Sequence, residues 1–523
     1  MSDVKELFPK RSKFDLSHEY KLSCRMGDLV PVLCEEILPG DTFRISNKMM
    51  IRFAPMLAPV YHKIDATVHY FFVPNRLVWD NWEKFITGGD NGMDTSVPPY
   101  IEGNATKFAA STIYDYMEIP VPHDGVTIRA SALPFRAYNL IYNEWYRDQD
   151  LVPRLTVTKT DGADATNYSI QKRAWQKDYF TSARPWPQKG PAVVLPLGNL
   201  APVRTGDLND AEVARSGNAM RWGAASGTWT TTGGPLYAGA GTNPGTGAGA
   251  STPPTITSVK PVNLYADLSQ ASAATINDLR TAFQIQTWME RNARGGSRYI
   301  ESILSHFGIQ SSDARLQRPE YLGGGKSPVI ISEVLQTSST DTTSPQGNFV
   351  GHGIAGNISH EIFRSFEEHG WLIALINIQP KTEYMQGLHR KFTRNTKYDY
   401  YFPEFANLGE QAILNKEIYA GANGDGIFGY QGRYDEYRQN KSKNNVHGAM
   451  RNSLNFWHMS RIFSSLPVLN ANFVSNDSTS RIFAVTNQNV EQLYIYGVAE
   501  MEADRPMPYL SEPGLIDHSY GGR

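Results

Sequence analysis

The sequence predicts a mainly β fold, in which paired antiparallel sheets carry long insertions that contain helices and loops. Three observations support this fold class. Strand-like segments cluster at both ends of the 523-residue chain, the clearest helical pattern lies in its middle, and Gly- and Pro-rich segments separate these patterns. Because a sheet buries one face against another element, we expect the strands from both ends to form one sandwich.

The first predicted strands lie close to the N-terminus, in residues 29–37, 42–53 and 64–73. Pro- and Gly-containing turns separate the three segments. In the third segment, apolar side chains alternate with Asp65 and Thr67. This alternation predicts an antiparallel strand with one buried face.

Helical spacing appears in three later segments, residues 133–146, 275–295 and 299–307. The second is the clearest, because Thr275 and Asp278 form a capping pair at its start and two glycines follow its last turn. These segments predict helices in the middle of the chain.

Three more strands are predicted in the C-terminal half, in residues 329–335, 371–378 and 492–501. The run at 371–378 is unbroken and apolar, and Gly370 and Pro380 bound it. A short apolar run without helical spacing predicts a strand that is buried on both faces.

Residues 200–261 have a different composition, rich in Gly, Thr, Ala and Pro and poor in large apolar side chains. Such a segment buries too little apolar surface to offset the conformational entropy of folding by itself. Because long loops of this kind are usually functional or disordered, we predict an exposed surface insertion.

Three glycine-rich motifs resemble ligand-binding loops without their required context. Residues 351–356 match GxGxxG but follow a polar loop, so we expect a turn. Residues 323–327 end like a phosphate-binding loop, but Glu320 replaces the first glycine, so we expect a hinge. Residues 423–426 have calcium-loop chemistry without the later bidentate Glu, which favours a turn and leaves weak cation binding open.

The sequence contains no HExxH motif and no GxSxG motif. We therefore predict no catalytic site, no metal site and no cofactor.

The balance of charge argues against a free-standing nucleic-acid-binding protein. The chain has 50 basic and 52 acidic residues and a formal net charge of −2. Nucleic-acid-binding domains normally carry a positive surplus. If nucleic acid is nevertheless a partner, we expect polyamines, metal ions or a small basic partner protein to balance most of its phosphates.

Cations nevertheless occur in three short stretches, two of them interleaved with aromatic rings. Because Lys and Arg bind phosphates and aromatic rings stack on bases, these stretches are candidate contacts to single-stranded DNA. A solvated loop or a subunit interface would have the same composition, and this alternative stays open. The candidates are Lys10, Arg11 and Lys13, then Arg390, Lys391, Arg394 and Lys397, then the cations of residues 433–451.

Segments spread over nearly the whole chain, apart from residues 200–261, resemble one protein family. They are FDLSHEY at 14–20, LPGDTF at 38–43, VHYFFVPNRL at 68–77, WDNWE at 79–83, DYFTS at 178–182, PWPQKGP at 185–191, RLQRPEYLGG at 315–324, and residues 366–411. In number and order they resemble the major capsid protein of small single-stranded DNA bacteriophages, the Microviridae, in the gokushovirus branch.

This resemblance implies an eight-stranded antiparallel jelly roll of the viral capsid type, formed by residues 1–199 and 262–523. It implies a T=1 icosahedral shell around a circular single-stranded DNA genome. Residues 200–261 would form the protrusion at the threefold axes and take part in host attachment. In that loop we expect Trp229, Tyr237 and Asn243 to face the host.

The resemblance also implies the partners and the location of the protein. The partners would be other copies of the chain, packaged single-stranded DNA, a small basic DNA-packaging protein, internal scaffolding and pilot proteins, and a bacterial surface receptor. The protein would belong to the virion and assemble in the cytoplasm of the host bacterium.

Two other protein classes share parts of this pattern. A secreted jelly-roll lectin would use the same fold and aromatic side chains, but it usually has a signal peptide, and MSDVKELFPKRSKF contains no apolar core segment. A glycoside hydrolase needs two carboxylates about 5–10 Å apart. No motif indicates such a pair, so we favour the structural role.

Overall fold

The computed structural model describes residues 11–90, 93–191, 193, 203–205, 222–224, 259–261, 264–266, 276–295, 301, 304–306, 317–335, 349–358, 361–421, 423–439, 444–477, 479–485, 487 and 490–509. The chain divides into two compact units. The first comprises Met1–Pro187 and Ala293–Arg523, and the second comprises Gln188–Asn292. Residues 200–261 fall in the second unit and lie mostly outside the described residues, so the predicted surface insertion stays a prediction.

Strands are the most common regular element among the described residues. The strands are β1 Ser12–Asp15, β2 His18–Cys24, β3 Val30–Ile37, β4 Thr42–Phe53, β5 Ile64–Pro74, β6 Tyr100–Gly103, β7 Ile128–Ser131, β8 Val203–Thr205, β9 Trp222–Ala224, β10 Val259–Pro261, β11 Leu264–Ala266, β12 Glu320–Pro328, β13 Ile330–Leu335, β14 Phe349–Ile358, β15 Ile362–Ser365, β16 Gly370–Pro380, β17 Glu410–Leu414, β18 Ile427–Gly432 and β19 Leu493–Arg505.

Helices are fewer and mostly short. The α-helices are α1 Trp82–Thr87, α2 Ile113–Tyr116, α3 Leu133–Ile141 and α4 Ile276–Gly295, with single turns at Asn415–Ile418, Asp435–Arg438 and Ala471–Val474. A π-helical turn at Tyr142–Tyr146 extends α3. Short 3-10 helices occur at Asn75–Leu77, Arg390–Phe392, Lys397–Asp399, Pro403–Phe405, Gly448–Arg451 and Asn455–Trp457.

A seven-stranded antiparallel sheet forms one layer of the first unit. Its order is β1-β19-β4-β14-β13, with β2 paired to β19 and β15 paired to β4. β1 and β2 pair with successive parts of β19, and β14 and β15 with successive parts of β4. The seven strands therefore occupy five positions across the sheet.

A four-stranded antiparallel sheet, in the order β12-β5-β16-β3, forms a second layer. Two small hairpin-like pairs, β6 with β7 and β17 with β18, lie outside both sheets. Together with the long connecting loops, these sheets make the first unit mainly β, as the sequence predicts.

The main hydrophobic core contains buried side chains from both sheets. Phe43 and Ile51 of β4 and Ile495 of β19 belong to the same cluster as Phe72 of β5 and Ile376 of β16. Along β4, buried and exposed side chains alternate from Thr42 to Phe53, as a strand with one covered face requires. Each fully buried side chain of this kind stabilises the fold by about 1.5–3 kcal/mol.

The other face of the four-stranded sheet is covered as well. Phe71 of β5 and Ile373 of β16 pack in a second core with Phe135 and Tyr138 of α3. The prediction of a doubly buried strand at residues 371–378 is therefore confirmed by β16.

The prediction of one buried face for residues 64–73 is wrong, because β5 is buried on both faces. Its polar side chains tolerate burial because each has a partner. Asp65 forms an ion pair with Lys326, with Oδ2 and Nζ 2.8 Å apart. The hydroxyl of Thr67 donates to the carbonyl of Asn377 at 3.2 Å and accepts from Arg173 at 2.8 Å.

Two glycine-rich predictions are also wrong. Residues 323–327 form part of β12, paired with β5, and residues 351–356 form part of β14, paired with β4 and β13. Glycine is required there by close approach of backbone, since a Cβ at Gly324 would overlap the carbonyl of Val68. The turn predicted at residues 423–426 is confirmed by the hydrogen bond from Gly426 N–H to the Asn423 carbonyl.

The predicted helix at residues 133–146 is confirmed by α3 and the π-helical turn, and that at 275–295 by α4. Of the predicted helix at 299–307, the structure describes residues 301 and 304–306, which are helical.

The second unit, taken by itself, contains two strand pairs and most of α4. β8 pairs with β11, and β9 pairs with β10, both antiparallel. On α4 the side chains of Phe283 and Trp288 are exposed.

Candidate assembly and DNA-contacting surface

The N-terminal cations are engaged with acidic groups at the end of β19. β1 pairs with β19, with Lys13 opposite Asp504 and Asp15 opposite Glu502, so the basic side chains of this segment lie among acidic ones. The Arg11 Nε lies 3.2 Å from Asp504 Oδ1, and the Lys13 Nζ lies 3.4 Å from Glu502 Oε1. Lys10 lies outside the described residues. The sequence did not indicate these acidic partners, because they are almost 500 residues away.

Arg390 points into the protein and belongs to a buried polar network. Its Nη1 donates to the carbonyl of Ala412 at 2.7 Å and to Glu417 Oε1 at 3.0 Å. The other carboxylate oxygen of Glu417 accepts a hydrogen bond from the Tyr179 hydroxyl at 3.0 Å. Arg390 is therefore committed to an internal carboxylate rather than available to a phosphate.

The charges in this network act on one another. Burial raises the pKa of the Glu417 carboxyl, and Arg390 counters part of that rise. Burial alone would lower the pKa of the Arg390 guanidinium, but Glu417, Tyr179 and Glu436 outweigh it, and the pKa is raised. Removing Arg390 would leave the buried carboxylate of Glu417 without its counter-charge, which usually costs about 3–5 kcal/mol.

Arg394 is held by a second buried carboxylate and by two aromatic rings. Its Nη2 lies 3.4 Å from Glu436 Oε1, and Gln411 donates to the other oxygen of Glu436 at 2.7 Å. The guanidinium carbon lies 4.4 Å from the Tyr437 ring centroid and 5.4 Å from that of Tyr400. Arg394 therefore orients exposed rings and has little charge to offer a ligand.

Lys391 and Lys397 are different, because both are exposed and rest on aromatic rings. The Lys391 Nζ lies 4.7 Å from the Phe392 centroid, and the Lys397 Nζ lies 5.2 Å from the Tyr398 centroid. Within the described ranges, neither lysine pairs with a carboxylate. A cation beside an exposed ring is the arrangement that binds single-stranded nucleic acid.

These residues belong to a larger exposed surface, which we call the aromatic–cationic surface. It extends over the short 3-10 helices between Arg390 and Phe405 and the turn Asp435–Arg438. Its exposed members are Lys391, Phe392, Lys397, Tyr398, Tyr400, Tyr401, Phe402 and Tyr437. Exposed apolar area of this extent is typical of interaction sites.

The described cations of the third basic stretch each have a partner within the chain. Arg433 stacks on Tyr434 with its guanidinium carbon 5.0 Å from the ring centroid, and Arg438 lies 3.5 Å from Asp435 Oδ1. Arg451 donates to the carbonyl of Met385 at 2.5 Å. Residues 441 and 443 lie outside the described residues.

Sequence analysis missed a further exposed surface, the outer face of the seven-stranded sheet. Met50, Tyr494 and Ile354 are exposed on neighbouring strands of that face. Arg52 lies between Tyr494 and Ile354 in the register of the sheet and is exposed. The alternation of Tyr494 and Tyr496 with small or buried residues was the signal in the sequence.

Other candidate sites gain no support from the described part of the chain. There, no group of three or more His, Cys, Asp or Glu side chains is placed to hold a metal ion. No helix among the described residues combines the length and apolarity needed to cross a membrane. Trp229, Tyr237 and Asn243, the predicted host-facing residues, lie outside the described residues.

Comparisons with known proteins agree with one another. The profile of a family described as "Capsid protein (F protein)" matches residues 2–515. Capsid protein VP1 of Bdellovibrio phage phiMH2K is 42% identical over 514 residues, which cover 94% of this chain and 93% of the relative.

Two further relatives extend over almost the whole chain. Capsid protein VP1 of Chlamydia phage 1 is 38% identical over 588 residues, covering 98% of this chain and 97% of the relative. Capsid protein VP1 of Spiroplasma virus 4 is 32% identical over 540 residues, with coverage of 97% and 95%.

The sheets, the exposed surfaces and these relatives define a structural protein of a bacteriophage shell rather than an enzyme. The chain belongs to the F-type capsid protein family, and the resemblance to the gokushovirus major capsid proteins of the Microviridae is confirmed. As a member of this family the protein assembles with copies of itself and is a component of the virion.

Proposed function

We propose that this protein is the major capsid protein of a T=1 icosahedral shell that encloses a circular single-stranded DNA genome. The observation that carries the proposal is the family match over residues 2–515, shared with relatives of nearly equal length. The bare outer face of the seven-stranded sheet supports it, because a shell subunit needs such surfaces for contacts of about 1,000–2,000 Å² or more.

The proposed fold of the shell domain is an eight-stranded jelly roll. We count β1 with β2 as the first strand, β3, β4, β5 and β12 as the second to fifth, β14 with β15 as the sixth, and β16 and β19 as the last two. The sheet orders are then 1-8-3-6 and 2-7-4-5, with β13 as an extra edge strand. This order supports two interlocked Greek keys.

The proposed domain division is compatible with the same strand count. Residues 1–199 and 262–523 would form the capsid domain, and residues 200–261 would form a protrusion at the threefold axes. The connection between the fourth and fifth strands contains this insertion, so it interrupts neither sheet. We propose that the insertion, including Trp229, Tyr237 and Asn243, contacts a bacterial surface receptor.

Exchange of residues 200–261 for the corresponding loop of a relative tests this role. We expect altered adsorption to host cells and unchanged particle assembly. Failure of assembly, with subunits that still fold, would instead make the loop part of the shell contact.

Packaged DNA would meet Lys391 and Lys397 rather than Arg11, Lys13, Arg390 or Arg394. This assignment rests on the carboxylate partners of the last four. The net charge of −2 leaves most phosphates to other cations, which supports a small basic DNA-packaging protein as a partner. Internal scaffolding and pilot proteins would complete the assembly.

Salt titration of oligonucleotide binding tests the DNA contact. Replacing Lys391 and Lys397 by Gln should lower the slope of log K against log salt by about 0.7 per lost phosphate contact. The matched control replaces Arg11 and Lys13 by Gln and should leave the slope unchanged. Loss of assembly with unchanged oligonucleotide binding would assign the two lysines to a subunit interface.

The main proposal is tested by expressing the chain alone and examining it by size-exclusion chromatography and negative-stain electron microscopy. We expect closed, uniform particles, either directly or after the other virion proteins are added. Subunits that stay small in the presence of every virion protein would contradict the proposal.

A further inference from the structure

A pocket in the first unit is lined largely by aromatic rings. Its volume is about 380 Å³, within the range of about 300–1,000 Å³ that small-molecule sites occupy. It lies beside the four-stranded sheet, where β5 and β12 meet the π-helical turn and residues 173–177. The side chains important here are His69, Phe71, Trp145, Tyr146, Arg173 and Tyr321.

Three of these rings contact one another. The ring centroids of Trp145 and Tyr321 lie 5.6 Å apart, those of Phe71 and Tyr321 lie 5.5 Å apart, and those of Phe71 and Trp145 lie 5.8 Å apart. Phe71 is buried, whereas Trp145 and Tyr321 remain 39% and 42% exposed. The exposed pair therefore offers ring area to a planar ligand, and Phe71 fixes its position.

Arg173 supplies a positive charge to the same pocket. Its Nη1 donates to the Thr67 hydroxyl at 2.8 Å, and its guanidinium carbon lies 5.6 Å from the Tyr146 ring centroid. Burial lowers the pKa of this guanidinium. Among the described residues no carboxylate pairs with Arg173, and Asp148, which also lines the pocket, is engaged with Lys177.

His69 does not add to this charge at neutral pH. Burial, followed by the repulsion of Arg173, lowers the pKa of His69 to about 4. Its Nδ1 lies 2.8 Å from the hydroxyl of Tyr146. Because a largely desolvated cation without a counter-charge is unfavourable, the pocket is suited to an anion that also has an aromatic ring.

We propose that this pocket binds a nucleoside phosphate, with the phosphate at Arg173 and the base against Trp145 and Tyr321. Aromatic rings and arginine are the groups that hold single nucleotides of unpaired nucleic acid. The ligand could come from packaged single-stranded DNA or from free nucleotide. The DNA source rests on the proposed function, whereas the binding chemistry does not.

A saccharide fits the pocket less well. Sugars also stack on aromatic rings, but their hydroxyls need several polar partners. The polar groups nearest the rings are already engaged: the Trp145 indole donates to the Pro319 carbonyl at 3.0 Å, and the Tyr146 hydroxyl contacts His69. Arg173, which pairs with no carboxylate among the described residues, favours a charged phosphate over a neutral sugar hydroxyl.

Calorimetric titration of the full-length protein tests the proposal with four probes. These are thymidine monophosphate, thymidine, an oligo(dT) of eight nucleotides, and glucuronate as an anionic sugar. We expect thymidine monophosphate to bind roughly tenfold more tightly than thymidine, because a charge-assisted hydrogen bond distinguishes them. Binding of oligo(dT) would identify DNA as the source of the ligand. If the monophosphate binds and oligo(dT) does not, the ligand is free nucleotide.

Two variants and one control locate the site. Arg173→Gln should weaken binding of the monophosphate to the level of thymidine. Tyr321→Ala should weaken both ligands by roughly fivefold or more, as loss of a stacking partner predicts. Arg129→Gln is the matched control, because Arg129 is exposed and stacks on Tyr100 outside the pocket, and it should change neither affinity.

Several outcomes would overturn the proposal. They are the absence of saturable binding by the monophosphate, binding of glucuronate in its place, or monophosphate affinity that survives Arg173→Gln in a folded protein. If Arg173→Gln does not fold, two other measurements decide. They are the ratio of the affinities for the monophosphate and for thymidine, and the affinities of the Tyr321→Ala variant. Because unassembled protein suffices for these titrations, their failure is separate from a failure of particle assembly.

Discussion

The two sheets of the sandwich are covered to different extents. On β16 of the four-stranded sheet, Leu372 and Ile373 point to opposite faces and are both 0% exposed. On β4 of the seven-stranded sheet, Ile51 is 0% exposed, whereas its neighbour Arg52 is exposed. One sheet is thus closed within the protomer, and the other keeps a face for contacts outside it.

The exposed face itself has two parts. Near β1 and β15 its charges pair with one another, as Lys13 does with Glu502 and Arg44 with Glu361. Near the start of β19 it presents Met50, Tyr494 and other apolar side chains. Since contiguous exposed apolar area marks interaction sites, the second part is where we expect a neighbouring molecule to bind.

The largest loss of stability should follow from replacing Arg136 of α3, the helix that packs on the four-stranded sheet. Its Nε lies 2.7 Å from Asp164 Oδ2, and its other nitrogens donate to the carbonyls of Val78 and Thr160. Arg136→Gln leaves Asp164 buried without a counter-charge and should lower the free energy of unfolding by about 3–5 kcal/mol. Denaturant unfolding measures this loss.

A matched control uses an exposed arginine. Arg129→Gln removes a guanidinium that stacks on Tyr100 and should change stability by less than about 1 kcal/mol. Equal losses for the two variants would mean that the ion pair with Asp164 does not hold the cover in place.

The second prediction compares neighbouring positions on the two sheets. Leu372→Ala and Ile373→Ala should each cost about 2–5 kcal/mol, because both side chains are fully buried. Ile51→Ala should cost a similar amount, whereas Arg52→Ala should stay within about 0.5 kcal/mol. Thermal unfolding of the four variants would contradict the comparison if Ile373→Ala behaved like Arg52→Ala.

Much of this asymmetry was predictable from sequence, because apolar periodicity reports burial. The unbroken run of β16 predicted two covered faces. Along β4 and β19 the sequence also alternates in step with the observed burial, although only the strands themselves were predicted there. For β5, the polar residues Asp65 and Thr67 led to the wrong prediction that one face of the strand is exposed. Their partners Lys326 and Asn377 are distant in sequence, so periodicity could not reveal them.

The candidate site was less predictable, because charge composition does not say which cations are already paired. Arg390 and Lys391 are adjacent in sequence, yet one is tied to Glu417 and the other is exposed on a ring. The glycine-rich strands β12 and β14 were missed because glycine disfavours strands. Close approach of neighbouring backbone explains why glycine occurs in these two strands.

A third prediction concerns the apolar part of the exposed face. Tyr494→Ala should leave unfolding of the isolated subunit nearly unchanged but weaken subunit association, by about 1–2 kcal/mol per contact. The concentration needed for assembly should therefore rise roughly tenfold. Tyr61→Ala is the control, because Tyr61 is exposed elsewhere, against Trp457. Unchanged assembly would remove this face from the shell contacts.

The buried position of His69 in the four-stranded sheet should also make the stability of the protein depend on pH. Burial keeps His69 neutral, with a pKa of about 4, whereas the unfolded chain takes up the proton near the ordinary value of 6.5. Stability should therefore fall as pH decreases from about 6.5 towards 4, by at most about 1.4 kcal/mol per pH unit. His69→Phe should flatten this slope, and exposed His123→Phe should not. Equal slopes for both variants would contradict the burial of His69.

The smallest effect should come from the charged part of the exposed face. Lys13 and Glu502 form a 3.4 Å ion pair with both side chains largely exposed. Solvent screening and side-chain entropy reduce such pairs to about 0–1 kcal/mol, so Lys13→Gln should barely change the denaturation midpoint. A loss above about 2 kcal/mol would show that the N-terminal strand is held by its charges. With the small loss expected, the attachment of the N-terminal strand comes from its backbone pairing with β19.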